Sequence, residues 1–217
     1  GVGVLMGGSL SAQCSGVSPV AVSKRIPMTC IAPAPATGNE YTFQVAVGLG
    51  PMIAAELGFA AKNLHAKKIA FLYSQTPYGQ AGAAVTKAMA PNFGLEVVFS
   101  EGVDSNSSDL SPLMAKVKAE SPDAVLDFLT GPVHIVEAKG AASVQLGVPI
   151  VQTTDVTSVF RKSAAEYPNL YFVTLPPQGY PSINDAKLKA ANADLVKAYK
   201  GDKDGIAQVA YGWDAVH

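Results

Sequence analysis

Four passages of the chain carry the residue types that chemistry needs. Lys67-Lys-Ile-Ala-Phe-Leu-Tyr73 is a short apolar run, and Ser74-Gln-Thr-Pro-Tyr78-Gly79-Gln80 follows it before an alanine-rich stretch. That order reads as a strand buried on both faces, a loop, and a helix start. In open α/β sheets, ligands bind beyond the carboxyl ends of the strands, where loop side chains and unpaired helix N–H groups converge. Tyr78 is therefore a candidate ligand contact. Thr130, in Phe128-Leu-Thr130-Gly-Pro, and Asp155, in Gln152-Thr-Thr-Asp155-Val-Thr157, follow two later strands on the same edge. Asp155 either faces a ligand ammonium group or caps the helix that starts near Ser158. Gly7-Gly-Ser9-Leu-Ser11-Ala12 follows the first strand and opens a helix, so its hydroxyls and N–H groups point where a carboxylate would sit. Ser11 as a nucleophile would need a base. His65, His134 and His217 fall near the end of one helix, within another and at the chain terminus, and none is expected at a strand end.

Other motifs fail on their own terms. Gly48-Leu-Gly50-Pro-Met-Ile53 resembles the opening of a dinucleotide fingerprint, but Ile53 stands at the third glycine position and Pro51 removes an N–H that a pyrophosphate would use. Asp104-Ser-Asn106-Ser-Ser108-Asp109 spaces its oxygens like a calcium loop, yet Asp109 and Ala115 replace the obligatory glycine and glutamate. A polar loop whose side chains satisfy turn N–H groups is expected there instead. Cys14 and Cys30 are too few for a disulfide scaffold or a four-ligand metal site; they form one bridge or lie buried as small residues. No cofactor and no metal is expected.

These residues need elements to hold them, and strand and helix signals alternate along the chain. Strands are expected at Val2–Met6, Met28–Ile31, Tyr41–Val45, Lys68–Tyr73, Glu96–Ser100, Ala124–Phe128, Ile150–Gln152 and Leu170–Val173. Helices fill the gaps at Ala12–Lys24, Pro51–Asn63, Gly79–Ala90, Ser111–Glu120, Val133–Gln145, Ser158–Glu166 and Asp185–Lys200, with a last one from Ile206 that carries Tyr211 and Trp213. Such alternation implies an α/β fold with parallel sheets flanked by helices. Proline-rich stretches at Ala32–Glu40 and Thr174–Ser182 interrupt it and flank a self-contained block. The chain is thus expected to form two lobes: residues 1–43 with 175–217, and 44–174. Hinges are expected at Phe43–Val45 and Val173–Leu175, with a ligand cleft between the lobes.

Composition removes some partners. The 217 residues are 48% hydrophobic and 15% charged, with net charge −1, and no basic run exceeds a pair. That gives no electrostatic footprint for nucleic acid or an anionic membrane surface. No apolar stretch approaches the roughly 20 residues that span a bilayer, so no direct membrane insertion is expected. Gly1-Val-Gly-Val-Leu-Met6 reads as a strand already under way, and the last helix stops without a cap, as in a fragment of a longer protein with an incomplete first lobe. Open sheet edges in that lobe would make the fragment prone to aggregate.

Several short sequences occur in order and at matching intervals: Gly8-Ser-Leu-Ser11, Ile26-Pro27, Lys68-Ile-Ala-Phe-Leu-Tyr73 with Tyr78-Gly79, Ser108-Asp109-Leu110, Ser121-Pro-Asp123-Ala-Val125, Leu146-Gly-Val-Pro149 and Trp213-Asp-Ala-Val216. On these the chain resembles the type I solute-binding proteins of ABC importers, in their leucine/isoleucine/valine-binding group. The resemblance implies a periplasmic or cell-surface protein, made with a signal peptide, that closes two lobes on a small solute and hands it to ABC permease subunits without catalysis. It places the carboxylate-binding serine on Ser11 and an ammonium-accepting backbone carbonyl on Ala32. A threonine common in amino-acid binders is replaced by Ala34. The lobe-two tyrosine falls on Tyr78, an aromatic is replaced by Thr130, and the acidic ammonium partner falls on or beside Asp155. An amino acid is the first expectation for the solute, and aromatic acids or amides are the alternatives. A ligand-sensing domain of a receptor or regulator, or a serine hydrolase built on Ser11, are the readings from other classes.

Overall fold

The computed structural model describes residues 1–33, 39–153 and 157–173, and the isolated positions 186, 187, 189, 190, 193 and 197. The helices expected at Asp185–Lys200 and beyond Ile206 therefore lie outside the described residues, apart from those single positions. The chain divides into two compact units, Gly1–Leu49 with Leu175–His217, and Gly50–Thr174.

In the first unit, β1 (Leu5–Met6), β2 (Met28–Cys30) and β3 (Thr42–Gln44) form a parallel sheet in that order, with α1 (Ser11–Lys24) between β1 and β2. The extended run expected from Val2 pairs only over Leu5↔Met28 and Met6↔Thr29. A disulfide joins Cys14 of α1 to Cys30 at the end of β2, with Cα atoms 6.1 Å apart, which settles the cysteine question left open by the sequence. Cys14, Cys30 and Ala32 form a small buried cluster around it.

In the second unit the order is α2 (Leu49–Lys62), β4 (Lys68–Ser74), α3 (Pro77–Met89), a short 3-10 turn, β5 (Glu96–Val103), α4 (Ser111–Ala119), β6 (Ala124–Phe128), α5 (Val133–Ser143), β7 (Ile150–Thr153), α6 (Thr157–Glu166) and β8 (Leu170–Val173). All five strands pair in parallel, in the spatial order β5-β4-β6-β7-β8. Period-2 alternation sends Val125, Asp127 and Leu129 to one face and Leu126 and Phe128 to the other. On the first face Val125 and Leu129 join Ala70, Leu72, Met114 and Val117 of α4, and Val133, Ala138 and Ala141 of α5, in one core cluster. On the second face Phe128 packs on Phe71 and on α3. The chain's winding therefore reverses at β4, with its helices on opposite faces on either side of the reversal.

Side chains fix the starts of these elements. Asp123 accepts the N–H groups of Lys67 and Lys68 at 2.7 and 2.8 Å, tying the start of β4 to the start of β6, and these bonds hold its carboxyl below the usual range. Thr76 caps α3 by accepting the Gly79 N–H, with Pro77 in the first turn. At the start of α4, Asp109 accepts the Ser111 N–H at 2.8 Å. Asp104 accepts the Asn106 N–H at 2.8 Å, so the calcium-like loop is an Asx turn.

Two glycines let α3 approach the sheet. A Cβ on Gly79 would overlap the backbone of Ser74, and one on Gly82 would lie 2.8 Å from the Phe128 ring. Gly79→Ala is expected to lower stability by about 1–3 kcal/mol through overpacking, read from the urea midpoint, whereas Gln80→Ala at the exposed next position should leave it nearly unchanged. Reduction of Cys14–Cys30 is expected to remove up to about 3 kcal/mol, the figure for a loop of this length, and to lower Tm; an unchanged Tm in reductant would contradict it.

Candidate functional site

The carboxyl edge of the second unit is built around β4 and β6, where the winding reverses. Ser74, buried at the end of β4, bonds through its hydroxyl to Thr76 Oγ1 at 2.8 Å and donates to the Phe128 carbonyl at 3.4 Å, joining the two strand ends. Tyr78, half-buried in the first turn of α3, lays its ring on Phe128 with centroids 5.2 Å apart. Thr130 stands two residues beyond Phe128, half-buried, with its hydroxyl 3.2 Å from that of Ser105 in the loop after β5. Tyr78 and Thr130 thus stand on adjoining loops of one edge, with the Tyr78 ring resting on the buried Phe128.

The edge of the first unit carries Ser11 and Ala32. Ser11 is 4% exposed in the first turn of α1, and the Leu10 N–H ahead of it is satisfied by Gln13 Oε1 at 3.3 Å. Ala32 is buried just past β2, against the disulfide. Ala34 and Asp155 lie outside the described residues.

Sequence reading missed a polar cluster at the carboxyl ends of β6 and β7. Glu56, Asp127, His134, Glu137 and Gln152 are all 0% exposed. His134 Nδ1 lies 3.2 Å from Asp127 Oδ2. Asp127 Oδ1 accepts the Thr153 N–H at 3.2 Å and that of Leu129 at 3.5 Å. Gln152 Nε2 donates to Glu137 Oε2 at 3.0 Å and to the His134 carbonyl at 3.2 Å, and the Thr153 hydroxyl donates to Glu56 Oε1 at 3.2 Å. His134 was set aside in the sequence because it falls within a helix; in the fold the first turn of α5 brings it to a carboxylate at a strand end. It belongs to the second unit, whereas Ser11 belongs to the first. The available signals were an aspartate inside the apolar run Ala124-Val-Leu-Asp-Phe128, and a histidine and a glutamate at i, i+3 on a helix of otherwise small and apolar residues.

Burial governs the charges here. Desolvation raises Asp127 from 3.8 to about 7, against hydrogen bonds from Glu137, Thr153 and Leu129 that lower it. Glu56 and Glu137 are raised well above the ordinary range, first by burial and then by the negative field of Asp127. A cavity of about 690 Å3 lies elsewhere, between α3 and the edge strand β5, lined by Phe71, Tyr73, Thr86, Lys87, Glu96 and Ser100 among others. It sits beside the sheet, not beyond the strand ends, and shares no residue with either candidate edge.

A family model described as periplasmic binding protein matches residues 1–217. A Leu/Ile/Val-binding protein homolog of Brucella abortus is 36% identical over 67 residues, 31% of this chain and 18% of that protein. Among solved structures, a leucine-binding protein of Thermotoga maritima matches with TM-score 0.78 at 21% identity, covering 99% of this chain and 62% of its own. A solute-binding protein of an ABC transporter from Rhodopseudomonas palustris, in complex with p-hydroxybenzoic acid, matches with TM-score 0.73 at 19% identity, over 99% of this chain and 60% of its own. The chain thus spans about three fifths of the length of these structures, and at such identity the likeness is one of fold: an α/β fold of parallel sheets flanked by helices.

The buried carboxyls make a pH prediction. A carboxyl whose folded pKa is raised binds more protons folded than unfolded between the two values, so stability falls as pH rises between them. For Asp127 that window runs from 3.8 to about 7, and Glu56 and Glu137 act in the same direction. Protein treated with EDTA is expected to lose stability from pH 4 to 7 in urea titrations. Asp127→Asn, which mimics the protonated acid, should flatten part of that slope; a slope unchanged in the variant would contradict the assignment.

Proposed function

The chain belongs to the periplasmic binding protein family, and we propose that it acts as the extracytoplasmic solute-binding component of an ABC importer, taking a small carboxylate-bearing solute and performing no catalysis. The observation that carries this reading is the placement of Tyr78 and Thr130 on adjoining loops at the point where the winding reverses, the position at which open α/β sheets bind ligands. Ser11, at a helix N-terminus, is the anchor for the carboxylate, and Ala32 offers a backbone carbonyl to an ammonium group. Tyr78, held on the buried Phe128 ring, supplies an aromatic contact for the rest of the solute. Asp155 is the proposed ammonium partner.

An extracytoplasmic setting agrees with the Cys14–Cys30 disulfide, since such bonds persist in oxidising compartments. No helix among the described residues is long and apolar enough to cross a membrane. ABC permease subunits are the proposed protein partners.

The amino-acid reading comes first. The aromatic-acid reading is favoured by Ala34, which lacks the hydroxyl common in amino-acid binders, and by the half-buried Tyr78 ring. Both share the carboxylate, and a thermal-shift screen separates them. A ligand at 100 times its Kd is expected to add about 2.7 kcal/mol of stability, with leucine as the amino-acid probe and p-hydroxybenzoate as the aromatic one. Ser11→Ala should weaken either ligand roughly 10- to 100-fold, the worth of a hydrogen bond to a charged group. Asp155→Asn should weaken leucine far more than its des-amino analogue. Shifts with neutral sugars alone would sink the carboxylate reading, and turnover of an ester abolished by Ser11→Ala would replace it with a hydrolase.

A further inference from the structure

The buried cluster of the second unit holds more acceptors than donors. Asp127, Glu137, Glu56 and the Gln152 carbonyl bring seven oxygens, each able to accept twice, while the donors that reach them are the Thr153, Leu129 and Asp127 N–H groups, the Thr153 hydroxyl, one Gln152 N–H, the His134 ring and a proton shared between Asp127 and Glu137. Glu137 Oε1, Gln152 Oε1 and Glu56 Oε2 are fully buried with no hydrogen-bond partner among the described residues. A buried acceptor left without a donor is destabilising, and a buried carboxylate without a counter-charge is more so.

The geometry gathers these acceptors. His134 and Glu137 occupy one face of α5, a single turn apart, and both meet Asp127 at the end of β6. One ligand atom from each of Asp127, His134 and Glu137 lies within 4.8 Å of the other two, and the His134–Asp127 pair is already at 3.2 Å. An ion with bonds of about 2.0–2.2 Å in tetrahedral array needs its ligand atoms roughly 3.3–3.6 Å apart, so closing the widest pair takes about an ångström of side-chain rotation.

We propose that Asp127, His134 and Glu137 form a structural site for a divalent transition-metal cation, with the buried Gln152 carbonyl beside it as a further oxygen. Two carboxylates, a neutral imidazole and a divalent ion sum to zero charge, which is the state a dry interior tolerates. The mixed nitrogen and oxygen donors suit zinc or manganese, whereas an all-oxygen set would suit calcium or magnesium. The ion would link β6, α5 and, through Gln152, β7, and complete burial makes it an ion taken up as the unit folds. It stands apart from the solute-binding reading, which is unaffected if the site fails.

The test uses the full chain, stripped with EDTA and passed through gel filtration after exposure to zinc or manganese chloride. The expected results are one equivalent of zinc retained by elemental analysis, a Tm several degrees higher than in EDTA, and d–d absorption of a nitrogen–oxygen site when cobalt is substituted. His134→Gln and Glu137→Gln, each checked for folding by circular dichroism, should lose that absorption and retain at least tenfold less metal. The double variant Cys14→Ser/Cys30→Ser should retain its metal in full. Should His134→Gln fail to fold, the isosteric Glu137→Gln and the wild-type stoichiometry decide. The proposal is overturned if folded wild type retains no metal and melts identically in EDTA and zinc, which would leave shared protons as the occupants. It is overturned equally if both variants hold as much metal as wild type, which would mark adventitious surface binding.

Discussion

Parallel pairing is the constraint on which the rest of this structure depends. Parallel neighbours cannot be joined by a tight turn, so each strand must be followed by a crossover that covers one face of the sheet. With β4 hydrogen-bonded to β5 on one side and to β6 on the other, the crossovers on either side of it lie on opposite faces. The segments that follow β4 and β6 lead to helices on opposite faces, and Tyr78 and Thr130 stand where they diverge. Burial on both faces also dictates the composition of β4 and β6, whose strands are apolar almost throughout.

Small residues then set how closely the layers approach. Gly79 and Gly82 remove the Cβ atoms that would hold α3 off the sheet, and Phe128 fills the space they leave. Because the Phe128 ring is fixed between Phe71 and α3, it presents a firm platform for Tyr78. In the first unit the disulfide performs a comparable task, clamping α1 to the end of β2 beside Ala32 and close to the helix start that carries Ser11. Each candidate edge therefore rests on a packed or covalent support instead of on its loop alone, which suits groups that must hold a direction.

Sequence reading placed most of the elements because period and punctuation are local properties. Ala124–Phe128 and Leu170–Val173 come out as expected, and Met28–Ile31 and Lys68–Tyr73 differ from the structure by one residue. Errors arise where the deciding contact is distant. β5 runs on to Val103, pairing residue by residue with β4 beyond the end of its apolar stretch. Of the candidate site, Tyr78 and Thr130 were legible from their places after strands. The Asp127–His134–Glu137 cluster was not, because an aspartate in an apolar strand and a histidine in a helix mean little apart.

The sequence by itself determined the alternation of strands and helices, the parallel α/β class and the family, for these follow from hydrophobic period, turn residues and the order of short motifs. Tertiary structure alone decided that Cys14 and Cys30 are bonded, that Tyr78 stacks on Phe128, and that three acids and a histidine from α2, β6 and α5 share one dry pocket. The physical reason is that each of these depends on separation in space between residues distant in the chain. Burial, which turns an ordinary carboxylate into an energetically strained one, is a property of what packs around a residue and is not encoded in the residue itself.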